Sequence, residues 1–234
     1  MKYMGSKNRI AKHILPIMLK EMQDKSYTTW VEPFVGGGNM IDKVPDAYKR
    51  IGADLNEHTI VAMLGIRDFV DYLPSNVSKE YYKEIKGNAE PDPIKSWIRY
   101  ECSFGSKFDN GYASNSEGRN YALCGKNLAI KQSPKIQNVE FICCSYTDLS
   151  NVTNSLIYCD PPYQGTTGYK TGDFNHEEFF EWCREMKAKG NSVFVSEYNA
   201  PDDFELVWQG ETKTNFSSQR KEATHKAVEK LFKV

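Results

Sequence analysis

The chain of 234 residues reads as an α/β protein, a sheet flanked by helices with an insertion in its middle. Three observations predict this. Short apolar runs of strand length alternate with stretches of helical spacing in both the first and the last third of the chain. The stretch from Ser75 to Gln137 has a different character, mixing Tyr-rich helical segments with a Gly/Asn/Ser-rich piece. Two of the apolar runs end in turn chemistry, Gly36-Gly37-Gly38 and Asp160-Pro161-Pro162-Tyr163.

The elements follow in order. Ile10, Ile14, Ile17, Met18 and Met22 fall at helical spacing and predict a helix over 6–24, with Pro16 marking a kink. Thr28 to Val35 reads as a strand, the glycine triplet as a tight turn, and Asn39 as the start of a short helix. Arg50 to Asp54 is a second strand, and helix returns over 57–73. Within the insertion, Glu80 to Lys86 and Ile94 to Cys102 read as helices. Tyr81, Tyr82, Trp97 and Tyr100 are expected to be core rather than ligand contacts, since aromatic residues at helical spacing pack inward. Strands resume at Val139 to Cys144 and Ser155 to Cys159, and a helix follows over 175–189. Strands at Ser192 to Ser196 and Phe204 to Trp208 complete the set.

Composition narrows the function. Charged residues make 26% of the chain and hydrophobic ones 40%, as in ordinary globular domains. No apolar run reaches the length of a membrane span, and residues 1–7 lack a secretory apolar region. The six cysteines have no Cys-x-x-Cys spacing and the four histidines are scattered, so reduced thiols in a cytoplasm are expected, and no metal. The net charge of −1 hides local bias. From Ile94 to Gln137 seven Lys/Arg face three acids, and from Glu211 to Val234 six face three. Such basic faces suit a phosphate backbone, although a solvated surface of mixed charge reads the same way.

Two motifs carry chemistry. In Glu32-Pro33-Phe34-Val35-Gly36-Gly37-Gly38 the glycines allow a sharp turn and close approach of a ligand to the backbone. Asp54 ends the next strand about twenty residues on, the offset at which an acid accepts ribose hydroxyls in nucleotide-binding folds. The third glycine of G-x-G-x-x-G is missing and no Lys/Arg stands beside the loop, which favours an adenosine without phosphates over NAD. In Asp160-Pro161-Pro162-Tyr163, two prolines stiffen the turn and remove two N–H donors. The Asp160 carboxylate and the Pro161 carbonyl are then placed to accept both hydrogens of a planar amine, with the Tyr163 ring against the base. Hydrogen bonds from both amine hydrogens favour a pyramidal, nucleophilic nitrogen.

The ordered set Lys2-Tyr3-x-Gly5-Ser6-Lys7, Glu32 to Gly38, Asp54-x-Asn56 and Asp160 to Tyr163 resembles the Dam-like class of adenine-N6 DNA methyltransferases, especially its small phage members. The resemblance implies a Rossmann-like sheet of seven strands, S-adenosyl-L-methionine as cofactor and a flipped-out adenine of double-stranded DNA as substrate. It implies a discontinuous catalytic domain, 1–58 and 136–234, with a mainly helical target-recognition domain over 59–135. Tyr3, Lys7, Phe34, Gly36 and Gly38 are then expected to touch the cofactor, Asp54 its ribose, and Asp160 both cofactor and target amine. A cytoplasmic setting in a bacterial or phage-infected cell goes with it. Where many members have Trp, this chain has Tyr3, and Ser145-Tyr146 replaces an Asp-aromatic pair.

For DNA contact, Phe108, Tyr112, Arg119 and Asn120 lie in or beside the Gly/Asn-rich piece, read as a hairpin over the duplex. Arg reads guanine edges, Asn reads adenine, and an aromatic wedges between bases; Arg119 on phosphate alone is the plainer alternative. Arg220 and Lys221 are candidates for phosphate contact near the C-terminus. At this level an RNA adenine, a cytosine N4, or a nucleotide-dependent oxidoreductase remain as other readings.

Overall fold

The computed structural model describes residues 1–114, 119–163, 174–213 and 226–234. Seven strands form one sheet: β1 (Thr29–Glu32), β2 (Lys49–Asp54), β3 (Val139–Cys143), β4 (Leu156–Cys159), β5 (Ser192–Ser196), β6 (Glu205–Lys213) and β7 (Lys226–Lys233). Their order is β3-β2-β1-β4-β5-β7-β6. The first five strands run parallel, and β7 is antiparallel to both of its neighbours.

Both faces of the sheet are covered, and the period of two sorts the core. Trp30, Leu156, Tyr158 and Phe194 join one apolar cluster. Their sequence neighbours Val31, Ile157, Cys159, Val193 and Val195 join the other. Helix α1 (Ala11–Lys25) adds Ile14, Met18 and Met22 to the first cluster. It runs unbroken through Pro16, which removes only one helical hydrogen bond. Helix α6 (His176–Ala188) covers the second cluster with Phe179, Trp182, Cys183 and Met186, one apolar stripe at helical spacing. Each such large side chain, once buried, contributes about 1.5–3 kcal/mol.

Between β2 and β3 lie helices α2 (Glu57–Asp68), α3 (Lys79–Ile85), α4 (Pro93–Glu101) and α5 (Tyr121–Gln132). Tyr82, Trp97 and Tyr100 are buried as expected, while Tyr81 is partly exposed. Gly65 permits the closest crossing, since a Cβ there would lie 2.6 Å from the Pro93 carbonyl oxygen. The boundary expected between residues 58 and 59 falls inside α2, which packs on β2 and β3 as well as on α4 and α5. The inserted helices are thus rooted on the sheet rather than hung from a linker.

Two elements have no counterpart in the pattern read from the sequence. Helix α5 buries Ala122, Gly125, Ala129 and Gln132 and leaves Leu123, Leu128 and Ile130 exposed. Strand β7 carries lysines at 226, 230 and 233 yet lies inside the sheet. Of the hairpin expected over 106–119, residues 115–118 lie outside the described residues; among those described there is one bridge, Ser103 to Tyr112, closed by Phe104 N–H to Gly111 O at 2.7 Å. Among the described residues no helix is long and apolar enough to cross a membrane.

Candidate active site

The chain leaves β1 toward β2 on one side of the sheet, and β4 lies on the other side of β1. A crevice opens at the carboxyl ends of strands where the order reverses in this way. Both motifs fall there, because Trp30 and Val31 pair in register with Leu156 and Ile157.

On the β1 side the turn is built around glycine. Gly36 and Gly38 have φ of +48° and +65°, the left-handed region. A Cβ on Gly36 would stand 2.8 Å from the Tyr3 ring, so Tyr3 floors the turn, packed in turn on Tyr100 at 5.6 Å. Gly38 lies against Met63 and Gln132. Asp54 reaches across from the tip of β2. Its Oδ2 accepts Gly36 N–H at 3.1 Å and its Oδ1 accepts Asn56 N–H at 2.9 Å. Phe34, half-buried, joins a group of rings, with Tyr146 and Phe179 both 5.6 Å away. Leu55, next to Asp54, is 60% exposed, an apolar face beside the acid that sequence reasoning passed over.

Burial pushes the Asp54 carboxyl up to about 6, against the pull of its two amide donors. The folded chain therefore holds this proton more tightly than the unfolded chain. The corresponding stability is fully present below the ordinary carboxylate pKa and is lost as pH rises through about 6. The stability of Asp54→Asn relative to wild type should accordingly rise by about 3 kcal/mol from pH 4 to pH 8. Urea unfolding of both proteins at the two pH values checks this; an equal difference at both would refute it.

On the β4 side, Asp160 Oδ1 sits 3.0 Å from Lys7 Nζ. That ammonium is buried, donates to Gly5 O at 2.8 Å, and lies 4.5 Å from the centre of the Tyr163 ring. Tyr163 donates its hydroxyl to Glu229 Oε2 at 2.9 Å, and Tyr198 meets its ring edge-on at 4.6 Å. Burial raises the Asp160 carboxyl while Lys7 holds it down. Burial, with Asp160 and Glu229 beside it, pushes the Tyr163 phenol well up, so it stays a donor. Glu32, fully buried and accepting Trp30 Nε1–H at 2.8 Å, is raised well above the ordinary range by burial.

The structure brings together Tyr3, Gly36, Gly38 and Asp54 on one side, and Asp160, Pro161, Pro162 and Tyr163 on the other. Lys7, expected at the cofactor, pairs with Asp160, since a buried ammonium needs an acid. Three of the expected DNA contacts have partners within the chain. Phe108 is packed between Tyr100 and His58, each at 4.8 Å, with the Arg99 guanidinium at 4.4 Å. Tyr112 packs on Tyr82 and donates its hydroxyl to Val77 O at 2.8 Å. Asn120 caps α5 through Leu123 N–H and ties back to Ser75 O, so both ends of its amide are used. Arg119 is exposed beside Tyr121. Arg220 and Lys221 lie outside the described residues. Glu229 was missed, since nothing in its local sequence says that β7 enters the sheet beside β5.

This strand order, with its reversed seventh strand inserted before the sixth, is that of the Rossmann-like methyltransferases. Residues 3–228 match the family described as D12 class N6 adenine-specific DNA methyltransferase, and the chain belongs to that family. It is a site-specific DNA adenine methyltransferase, and S-adenosylmethionine is its methyl donor. The oxidoreductase, RNA and cytosine readings fall with that match.

The chain is 22% identical to the type II methyltransferase M.MjaIII of Methanocaldococcus jannaschii, over 90% of this chain and 87% of that protein. It is 24% identical to the type II methyltransferase M.FokI of Planomicrobium okeanokoites over 80% of its length, and spans 32% of that longer protein. Among solved structures, the rRNA methyltransferase AviRa of Streptomyces viridochromogenes superposes with a TM-score of 0.47 at 10% identity, covering 97% of this chain and 84% of that one.

Proposed function

We propose that Asp160, Pro161, Pro162 and Tyr163 form the target-adenine pocket of this methyltransferase and that Tyr3, Phe34, Gly36, Gly38 and Asp54 hold the cofactor. The observation that carries this reading is the pairing of two acids across one switch point. Asp54 stands on the glycine turn beside β1, and Asp160 at the tip of adjacent β4. The residues fit an adenosine. Asp54 offers acceptors to ribose hydroxyls, exposed Leu55 offers an apolar face, and the acids Asp160 and Glu229 suit a cationic donor. When bound, the cofactor supplies an activated methyl group on a sulfonium.

The chain's own residues do the rest. Asp160 and the Pro161 carbonyl accept the two amine hydrogens and aim the nitrogen lone pair at the methyl. Asp160 would also favour the positive charge of the bound cofactor. The Lys7 ammonium gives way to the amine at Asp160, and Glu229, 3.9 Å away, is positioned to keep it. The proton leaves after the nitrogen becomes cationic, so no base with a raised affinity is needed beforehand. The base enters this pocket flipped out of duplex DNA, and the Tyr163 ring offsets part of the unstacking cost. The decisive experiment incubates the protein with labelled S-adenosylmethionine and duplex DNA and resolves the nucleosides. N6-methyldeoxyadenosine is expected; label on cytosine alone would reject the pocket assignment.

Residues 59–135 serve as the target-recognition part, resting on the sheet through α2. Within it Phe104, 69% exposed, takes the wedge role that Phe108 and Tyr112 are too packed to fill. Its loop is braced by Ser103, whose hydroxyl accepts Asn110 N–H at 2.9 Å. Phe104→Ala should raise the KM for DNA by about tenfold, the loss of one base–aromatic stack, with thermal stability unchanged. Titration of methylation rate against DNA concentration checks it, and an unaltered KM would remove Phe104 from the interface. Arg119 contacts phosphate or a base edge beside it. A cytoplasmic role in DNA modification, like that of the type II methyltransferases it resembles, completes the reading.

A further inference from the structure

We propose that His176 is a positioning residue that fixes the Asp160–Tyr163 turn for methyl transfer by holding the Pro162 carbonyl. The inference rests on the pocket assignment above. Two adjacent prolines leave this turn without N–H donors at 161 and 162, so its backbone must be anchored through acceptors. The side chains at its two ends are tied, Asp160 to Lys7 and Tyr163 to Glu229. Among the described residues, the backbone between them is held from outside by one side-chain donor, His176 Nε2, 3.0 Å from Pro162 O.

His176 is itself rigidly set. It is the first residue of α6, whose end is capped by Asn175 Oδ1 accepting Glu178 N–H at 3.2 Å. Phe174 meets its ring edge-on at 4.9 Å. Glu197 Oε1 lies 3.6 Å from the same Nε2, and the Glu197 side chain has no solvent exposure. Its other oxygen accepts Tyr198 N–H at 2.7 Å, directly beyond β5, the neighbour of β4. A line of contacts thus runs from the sheet through Glu197 and His176 to the turn. The geometry assigns the hydrogen to Nε2, because Pro162 O only accepts. Neutral and protonated imidazole both carry it, so the brace works in either state. The Pro161 carbonyl is one peptide away. Rotation of the Pro162 unit would swing both this acceptor and Tyr163 away from the base.

The test compares wild type with His176→Ala, His176→Gln and His176→Asn under steady-state methylation of duplex DNA. The amide nitrogen of Gln falls near Nε2, whereas that of Asn falls near Nδ1. The expected result is a kcat lower by about 10- to 100-fold in the Ala and Asn variants, with KM for DNA and cofactor affinity within about twofold of wild type. The Gln variant should recover most of the rate at equal melting temperature. A packing role alone would not separate Gln from Asn. Wild-type kcat in His176→Ala, equal loss in Gln and Asn, or an effect confined to KM would each overturn the proposal. Wild type inactive on DNA adenine would strike down the pocket assignment instead.

Discussion

Replacing Asp160 by alanine should reduce methyl transfer by about a hundred- to a thousandfold while the chain still folds. The estimate follows from removing a preorganised acceptor that stabilises charge only as the amine nitrogen becomes cationic, a loss of about 10²- to 10³-fold for comparable groups. The deficit should fall on kcat, because most of the contact with DNA lies elsewhere. Stability has two opposed parts. Burial raises the Asp160 carboxyl in the folded chain, so its ionised form is a burden that grows as pH rises through that raised value. Asp160→Asn lifts that burden but leaves the buried Lys7 ammonium to Glu229 alone, so its melting temperature should fall less below wild type at pH 8 than at pH 5. For the same reason the wild-type rate should climb with pH as Asp160 ionises, and this limb should vanish in the variant. Single-turnover assays with melting curves on the same samples settle both points. A purified Asp160→Ala protein with unimpaired turnover would remove the carboxylate from the chemistry.

Arg99→Met should destabilise the protein by about 3–5 kcal/mol, a large part of the stability of an ordinary domain. Arg99 and Asp109 are 3% and 8% exposed and share two hydrogen bonds of 2.8 and 2.9 Å. Arg99 also donates to Asn88 O at 2.7 Å, and Asp109 accepts Gly87 N–H at 3.0 Å. The pair pins the loop that carries Phe104 to α4. Losing one partner strands the other charge in the interior, whereas losing both does not. The double variant Arg99→Met, Asp109→Asn should recover more than half of the loss, since Asn tolerates the φ of +60° at 109. Urea denaturation measures all three. A single variant costing under about 1 kcal/mol would mean that solvent reaches the pair.

The sheet and its switch point were legible because their signals are local. The glycine turn, Asp54 at its offset and Asp160 to Tyr163 each announce themselves within a few residues. What escaped depends on partners far along the chain. Helix α5 buries small residues against α4, where a Cβ on Gly125 would lie 2.8 Å from Glu101, so its apolar pattern points outward and misleads. Lysines mask β7, whose Leu231 and Phe232 feed opposite faces of the core. Aromatic content marked this loop but not its exposed ring. Phe104 and Phe108 are alike in composition, and Phe108 is the one that packs on Arg99, Tyr100 and His58. Motif order likewise says nothing about which acid pairs with the buried Lys7 ammonium.

Lys7, Asp160 and Glu229 meet in one cluster although more than two hundred residues separate the first from the last. Contacts of such long range close late in folding. On the ribosome, the glycine turn and Asp54 emerge early, but the Tyr163 hydroxyl has no Glu229 to grip until β7 has been synthesised. A nascent polypeptide that stops short of β7 therefore owns one wall of the crevice while the turn on the other wall lacks its tether.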